Sequence, residues 1–268
     1  MVLWLRILIL AAVSYAFGNW SMARMIAWNT NHTKISTQGS GNPGTMNMVR
    51  RYGYKKGILT LILDAAKGAI PALLGGLLLE LGLHEGEMFH YSVLGVYIGG
   101  LAVIIGHMLP VAFKFRGGKG VACGIGVFLV ADPVVALIAF IIAFTVFVVF
   151  EYGFIASLSL IVIVTAVQYI RLSVGIGLLT QITTDYLLAV EILIGVIFAL
   201  VIIAHRRNFI RLFTGKESKI STTDAIRKYR AKKRGEQVQS KNEAAVEDAQ
   251  VSDVKSAGET IIEKESGD

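Results

Sequence analysis

Six stretches of the chain, residues 2–22, 57–79, 92–112, 134–150, 153–170 and 187–204, are apolar and nearly free of charge. Each is close to the ~20 residues that an α-helix needs to cross a hydrocarbon layer ~30 Å thick. No water reaches backbone N–H and C=O groups in that layer, so the crossing segments must close their hydrogen bonds internally, as helices do. With 54% hydrophobic residues in a chain of 268 and a mean hydropathy of +0.62, a soluble core is excluded and a polytopic all-α membrane protein is expected. The single cysteine, Cys123, can form no intramolecular disulfide and excludes a multi-thiol metal site. A cleavable signal is an alternative reading of the first stretch, because Ser14 and Ala16 have the small-residue spacing of a cleavage site. No basic segment precedes the apolar run, which argues against it.

The apolar run from 121 to 150 is 30 residues long, or ~45 Å of helix, too much for one straight crossing. Asp132-Pro133 interrupts it, and a proline disfavours helix at the residue before it. A short helix over about 119–131 and a second over 133–150 are therefore expected, making seven helices. Seven crossings place the polar segments 23–56, 113–119 and 205 onward on one face of the membrane, whereas six would put the last opposite. Those segments hold most of the basic residues near helix ends: Arg50, Arg51, Lys55, Lys56, Lys114, Arg116, Lys119, Arg206, Arg207 and Arg211. The stretch 79–92 carries three Glu and no Lys or Arg, so the positive-inside rule favours seven helices, an outside N-terminus and all three basic segments in the cytoplasm. Arg171 falls in an outside loop on this topology and is its exception. The membrane domain is read as 1–217, and 218–268 as a charged C-terminal tail with too few large apolar residues to order it.

Each basic segment has features beyond its charge. In "GSGNPGTMNMVR", residues 39–50, Gly39, Gly41 and Gly44 let the backbone turn and bring amide donors to a ligand. Ser40, Asn42 and Asn47 add neutral donors there, and Arg50 can grip a phosphate with two parallel hydrogen bonds. A flexible loop with membrane-anchoring arginines would read the same way. In "GHMLPVAFKFRGGKG", residues 106–120, Gly117, Gly118 and Gly120 surround Lys119 directly before a helix, which sets a cation and free amides at a positive helix end. It is no Walker A loop, since the GxxxxGK[ST] spacing fails at Phe113; a basic turn between crossings is the plainer alternative. In "HRRNFIRLFTGKE", residues 205–217, steps of three set His205, Asn208 and Arg211 on one helical face, where a juxtamembrane stop signal would also be basic. Asp64 and Lys67 lie one turn apart inside the second apolar stretch; they line a polar cavity or pair with each other.

Taken together, the order and spacing of these segments resemble the PlsY family of bacterial glycerol-3-phosphate acyltransferases. The resemblance runs over roughly residues 1–217 and includes "LDAAKG" at 63–68. The family commonly has Ala-Thr where this chain has Thr45-Met46, and often Thr where it has Cys123. The resemblance implies transfer of a fatty acyl group from acyl phosphate to the 1-hydroxyl of glycerol 3-phosphate, giving lysophosphatidic acid and phosphate, with no cofactor or metal. It implies catalytic roles for Ser40, Arg50, Lys119, His205 and Asn208. Substrate contacts would come from Gly39, Gly41, Asn42, Gly44, Thr45, Asn47, Lys67, His107, Gly117, Gly118, Gly120 and Arg211. Its partners would be the two substrates, membrane lipid and the soluble acyl-phosphate synthase PlsX as a candidate, with no nucleic acid, and its place the bacterial cytoplasmic membrane.

The His-x4-Asp dyad common in thioester-using acyltransferases is absent, since Thr37, Phe89, Gly95, Ala112 and Ile210 stand five places after the histidines. Catalysis is therefore expected to rest on positioning and charge neutralisation. Arg50, Lys119, Ser40 and Asn208 would hold phosphate groups while His205 orients a substrate or assists proton transfer, the acyl phosphate's own oxygens being the alternative acceptor of the proton. A transporter for a phosphorylated metabolite is the rival from another class, but it would place its site near the midplane, often between repeats, and no repeat is visible here. An inactive structural homologue is a further alternative, because Met46 replaces a motif hydroxyl.

Overall fold

The computed structural model describes residues 3–80, 85–174 and 184–220, with only the backbone described for 85–91 and 184–185. Most of the segment read as a charged tail, 221–268, lies outside the described residues. The helices are α1 (Leu3–Gly18), α2 (Met22–Asn31), α3 (Thr45–Glu80), α4 (Glu85–Met108), α5 (Val121–Ala131), α6 (Pro133–Phe150), α7 (Gly153–Val174), α8 (Thr184–Ala204) and α9 (Arg206–Phe213). Single 3-10 turns stand at Ile35–Thr37 and Val111–Phe113. Six segments are long and apolar enough to cross a membrane: Leu3–Asn31, Thr45–Glu80, Ser92–Phe113, Pro133–Phe150, Gly153–Val174 and Tyr186–Ala204.

The interruption at Asp132-Pro133 falls as expected, and its chemistry is visible. Proline stands at the first position of α6, and Asp132 Oδ1 caps the helix by accepting from the amide of Val135 at 3.2 Å. α5 has 11 residues, or ~16 Å, which by length alone does not make it a seventh crossing. Its far end nevertheless reaches well along the bundle. Asp132 pairs with Arg171, which lies 18 positions (171 minus 153), or ~27 Å, along α7 from Gly153, where that helix packs on Met46. Arg171 thus sits in the last turn of α7 and not in a loop, where it meets the partly buried carboxylate of Asp132.

The polar segment 23–56 also contains more helix than hydropathy indicates. α2 buries Ala23, Ile26 and Ala27 on one face and exposes Met25 and Trp28 on the other, so a windowed average cancels its two sides. Its Arg24 stacks over the Phe113 ring at 4.1 Å and donates to the carbonyl of Arg116, bracing the second basic segment. α3 breaks at Gly53, whose φ of 81° and ψ of 172° are not helical; the turn folds 45–52 back until Val49 lies against Gly57.

The core is drawn together by backbone contact at glycines. A Cβ on Gly95 of α4 would stand 2.1 Å from the carbonyl oxygen of Gly75 on α3, and one on Gly126 of α5 would stand 1.9 Å from that of Ala65. Between apolar helices in lipid, such approach supplies the dispersion contact that the hydrophobic effect does not. On α6 the small residues Ala136, Ala139 and Ala143 face inward, while Ile138, Ile141 and Val148 are exposed as a lipid-facing side would be.

Candidate active site

The three basic segments converge on one cleft with a volume of about 250 Å³. The first enters as a glycine loop. Gly39 and Gly41 have φ of 58° and 71°, and a Cβ on Gly39 would meet Asn47 Oδ1 at 2.4 Å. Asn47 is buried and both ends of its amide are used by the loop: Nδ2 donates to Gln38 O at 2.9 Å, and Oδ1 accepts from Ser40 N at 3.3 Å. Asn47 therefore shapes the loop, and Ser40 Oγ stays at the cleft, 3.4 Å from the amide of Asn42. One turn further, Arg50 Nη2 donates to Ser218 O at 2.9 Å while its buried Nε has no hydrogen-bond partner among the described residues. Thr45 Oγ1, in the lining, is likewise buried with no partner among the described residues, and Met46 packs on Gly153, so a hydroxyl stands one position before the methionine. Buried unsatisfied donors facing a cleft mark a place where a ligand supplies the missing acceptors.

The second segment delivers Lys119. Gly117 N donates to Met108 O at 3.1 Å and Gly118 N to His107 O at 3.0 Å, which turns the chain so that the Lys119 ammonium donates to Asn208 Oδ1. Burial, then the nearby charges of Arg211 and Arg50, push the Lys119 pKa down to about 8, with Glu217 opposing.

The third segment supplies neutral and charged groups on α9. His205 Nδ1 lies 2.8 Å from Val201 O, an acceptor only, so Nδ1 carries the proton and Nε2 is left as a lone pair. Burial, and secondly Lys119, lower its pKa to about 4, so the imidazole is neutral at pH 7. Asn208 Nδ2 donates to Glu217 Oε1 at 2.9 Å and Arg211 Nε to Glu217 Oε2 at 2.7 Å. Glu217, which sequence reasoning quoted but gave no role, is thus the carboxylate that orients both; its signal was an acid at the end of a basic run. Arg50, Lys119 and Arg211 against Glu217 leave an excess of positive charge, which suits phosphate.

Of the residues expected to meet substrate, Ser40, Asn42, Gly44, Thr45, Asn47, Arg50, His107, Lys119, Gly120, His205, Asn208 and Arg211 line the cleft. Gly39, Gly41, Gly117, Gly118 and Lys67 are not in its lining. Lys67 is directed at the carbonyls of Gly18 and Trp20 and at His107. The other arm of the cleft is apolar, lined by Ile58, Leu61 and Leu160 and by Phe140, Phe144 and Phe147 on one face of α6. Ile220 closes an adjoining cluster against Phe147 and Ala156, with its amide donating to Glu151 O at 2.9 Å.

A cleft with a cationic end and an apolar arm can hold a phosphate ester and a fatty chain together. Residues 8–215 match the family model described as glycerol-3-phosphate acyltransferase. A glycerol-3-phosphate acyltransferase of Finegoldia magna is 34% identical over 219 residues, covering 81% of this chain and 98% of the relative. One from Neisseria gonorrhoeae is 36% identical over 211 residues, covering 78% and 94%. Crystal structures of PlsY, an integral membrane glycerol 3-phosphate acyltransferase, superpose with TM-scores of 0.66 in the glycerol 3-phosphate form and 0.64 in the lysophosphatidic acid form. Both are 31% identical and cover 82% of this chain and 98% of theirs.

Proposed function

The chain belongs to the glycerol-3-phosphate acyltransferase family and is a multi-pass membrane enzyme of that activity, and we propose that its donor is a fatty acyl phosphate bound in the cleft just described. The observation that carries this reading is the meeting of Arg50, Lys119 and Arg211, from three separate segments, at the mouth of an apolar arm. Two phosphate groups, one on each substrate, need that excess of cationic donors, and the acyl chain takes the arm beside Phe140, Phe144 and Phe147. A soluble synthase of the PlsX kind supplies the donor.

The 1-hydroxyl oxygen of glycerol 3-phosphate attacks the acyl carbonyl carbon, and the bond from that carbon to the phosphate oxygen breaks. His205 Nε2, a neutral acceptor, receives the hydroxyl proton in a hydrogen bond and passes it to the departing phosphate. Ser40, Arg50, Lys119 and Asn208 hold the phosphate oxygens, so that charge developing on the leaving group meets preorganised donors; Asn47, Gly39 and Gly41 keep the first loop in shape. The test is release of inorganic phosphate from acyl phosphate by the purified full chain in detergent. Phosphate and lysophosphatidic acid should appear in equal amounts, only when glycerol 3-phosphate is added, and equally in a chain truncated after Arg234. Equal or faster turnover with a thioester donor would overturn the assignment of acyl phosphate.

The three segments face the cytoplasm on this proposal, with α5 and α6 as two of seven crossings. The charge asymmetry supports it, as does the reach of Asp132 to the far end of α7. Single cysteines placed at Thr37, Arg116 and Ser218 in a Cys123→Ser background should label from the same side of sealed vesicles. Labelling of Ser218 from the side opposite Thr37 would sink the seven-crossing topology.

A further inference from the structure

At the inner wall of the cleft, which Asp64 and His107 help to line, lies a second set of ionisable groups for which the reaction gives no role. Asp64 and Lys67 on α3 are each 1% exposed, and His107, in the last turn of α4, is 6% exposed. Lys67 Nζ stands 2.6 Å from Trp20 O, 3.2 Å from Gly18 O, 3.0 Å from His107 Nδ1 and 3.5 Å from Asp64 Oδ1. The first three are hydrogen bonds, one for each proton of the ammonium, and the fourth is an ion pair with a carboxylate oxygen that has no hydrogen-bond partner among the described residues. A buried cation is tolerated only where it is paired and hydrogen-bonded in this way.

The carboxylate of Asp64, a ring nitrogen of His107 and the Cys123 thiol also lie within 4.8 Å of one another, a donor set that could hold a metal ion. The ammonium already stands against two of those three groups, so the chain supplies its own cation there. Because an ammonium cannot accept, His107 Nδ1 must, and the imidazole proton is on Nε2. That edge faces Gly118: a Cβ on Gly118 would fall 2.0 Å from His107 Nε2, and one on Gly117 would fall 2.0 Å from His107 O. The glycine turn is therefore laid directly on the ring and carbonyl of His107, and the next residue is Lys119.

We propose that Lys67 is a positioning residue for Lys119. As a tethered cation it joins the end of α1, the middle of α3 and the end of α4 at the ring of His107, and that ring is the surface on which the turn at 117–118 sets the Lys119 ammonium opposite Asn208. The proposal rests on Lys119 being a phosphate-holding group.

The experiment is the pH dependence of kcat/KM for glycerol-3-phosphate-dependent turnover by the detergent-solubilised full chain. Lys119 is faced by Arg50 on α3, by Arg211 and His205 at α9, and by Glu217, and it is held at a pKa of about 8. In the wild type kcat/KM should fall as pH rises through that value. In Lys67→Met the turn loosens, Lys119 regains water, and the alkaline limb should move up by more than half a unit with about a tenfold loss of kcat/KM at pH 7. Gly118→Ala leaves the buried charges intact but drives a methyl into His107, and it should move the limb in the same direction. A structural role alone would lower the melting temperature and the active fraction of Lys67→Met with the limb unmoved, and that result overturns the proposal. Should Lys67→Met fail to fold, a wild-type limb in Gly118→Ala overturns it equally. Failure of the underlying reading would show separately, as a silent Lys119→Ala.

Discussion

Lys119→Ala should lower kcat/KM for glycerol-3-phosphate-dependent turnover by roughly 30-fold to 1,000-fold, the loss of ~2 to 4 kcal/mol that follows removal of a charge-assisted contact from a desolvated site. The ammonium is mostly withdrawn from water, donates to Asn208 and lies among Arg50, Arg211 and Glu217. A phosphate oxygen arriving there gains a full cationic donor that bulk solvent cannot match. The effect should also carry a pH signature. Burial and neighbouring cations lower the Lys119 pKa to about 8, so the charged form needed for phosphate prevails below that pH and is lost as pH rises through it. kcat/KM of the wild type should decline on that limb, and the limb should be missing from Lys119→Ala. Lys114 and Arg116 are exposed and remain to keep the segment basic, so a lysine that served only topology would be dispensable. Near wild-type kcat/KM in a folded, inserted Lys119→Ala would refute the phosphate assignment of the second segment.

Arg50→Lys should be almost as damaging, with a loss of about 10-fold to 150-fold in kcat/KM, and Arg50→Ala should lose at least as much. The substitution keeps the charge, so the expected cost comes from geometry. Arg50 already uses Nη2 to hold Ser218 O, and its buried Nε has no partner among the described residues. A planar guanidinium can keep the first bond and offer Nε to a substrate oxygen, whereas a lysine ammonium on its flexible stem has no such fork. An unmatched donor of this kind is worth ~1.5 to 3 kcal/mol once a charged acceptor meets it. Steady-state kinetics on the purified variants check this, with circular dichroism to verify the fold. An Arg50→Lys enzyme within threefold of the wild type would show that charge alone suffices there.

Much of both fold and site was legible in the sequence, but unevenly. Legible features were those that one residue, or a run of neighbours, fixes alone. The helix break at Asp132-Pro133 follows from proline's missing N–H and its clash with the preceding turn, and α6 begins there. Ser40, Arg50, Lys119, His205, Asn208 and Arg211 stood out as polar residues in motifs between apolar runs, and all six line one cleft. Less legible was α2, whose two faces cancel in an average, and the start of α5, which waits until Val121 because Gly120 adopts a φ of 83°. The role of Asn47 was also hidden, since its amide serves the loop at Gln38 and Ser40.

What the sequence determined by itself, then, is the helical character, six apolar segments long enough to cross a membrane and the residue types at the cleft. In lipid every backbone polar group must be satisfied within its own segment, so hydropathy along the chain is enough to draw those helices. Only the tertiary structure decided which charged groups have which partners. Asp132 and Arg171 are 39 positions apart, Lys67 and His107 are 40, and Lys119 and Asn208 are 89. Hydropathy is a property of one residue at a time, whereas a buried charge is stabilised by a partner at ~3 Å whose place along the chain is set by helix packing. That is why Lys67, for which the family resemblance implies a substrate contact, stands in the fold behind His107, and why Glu217 reads as the end of a basic run and lies among Arg50, Lys119 and Arg211.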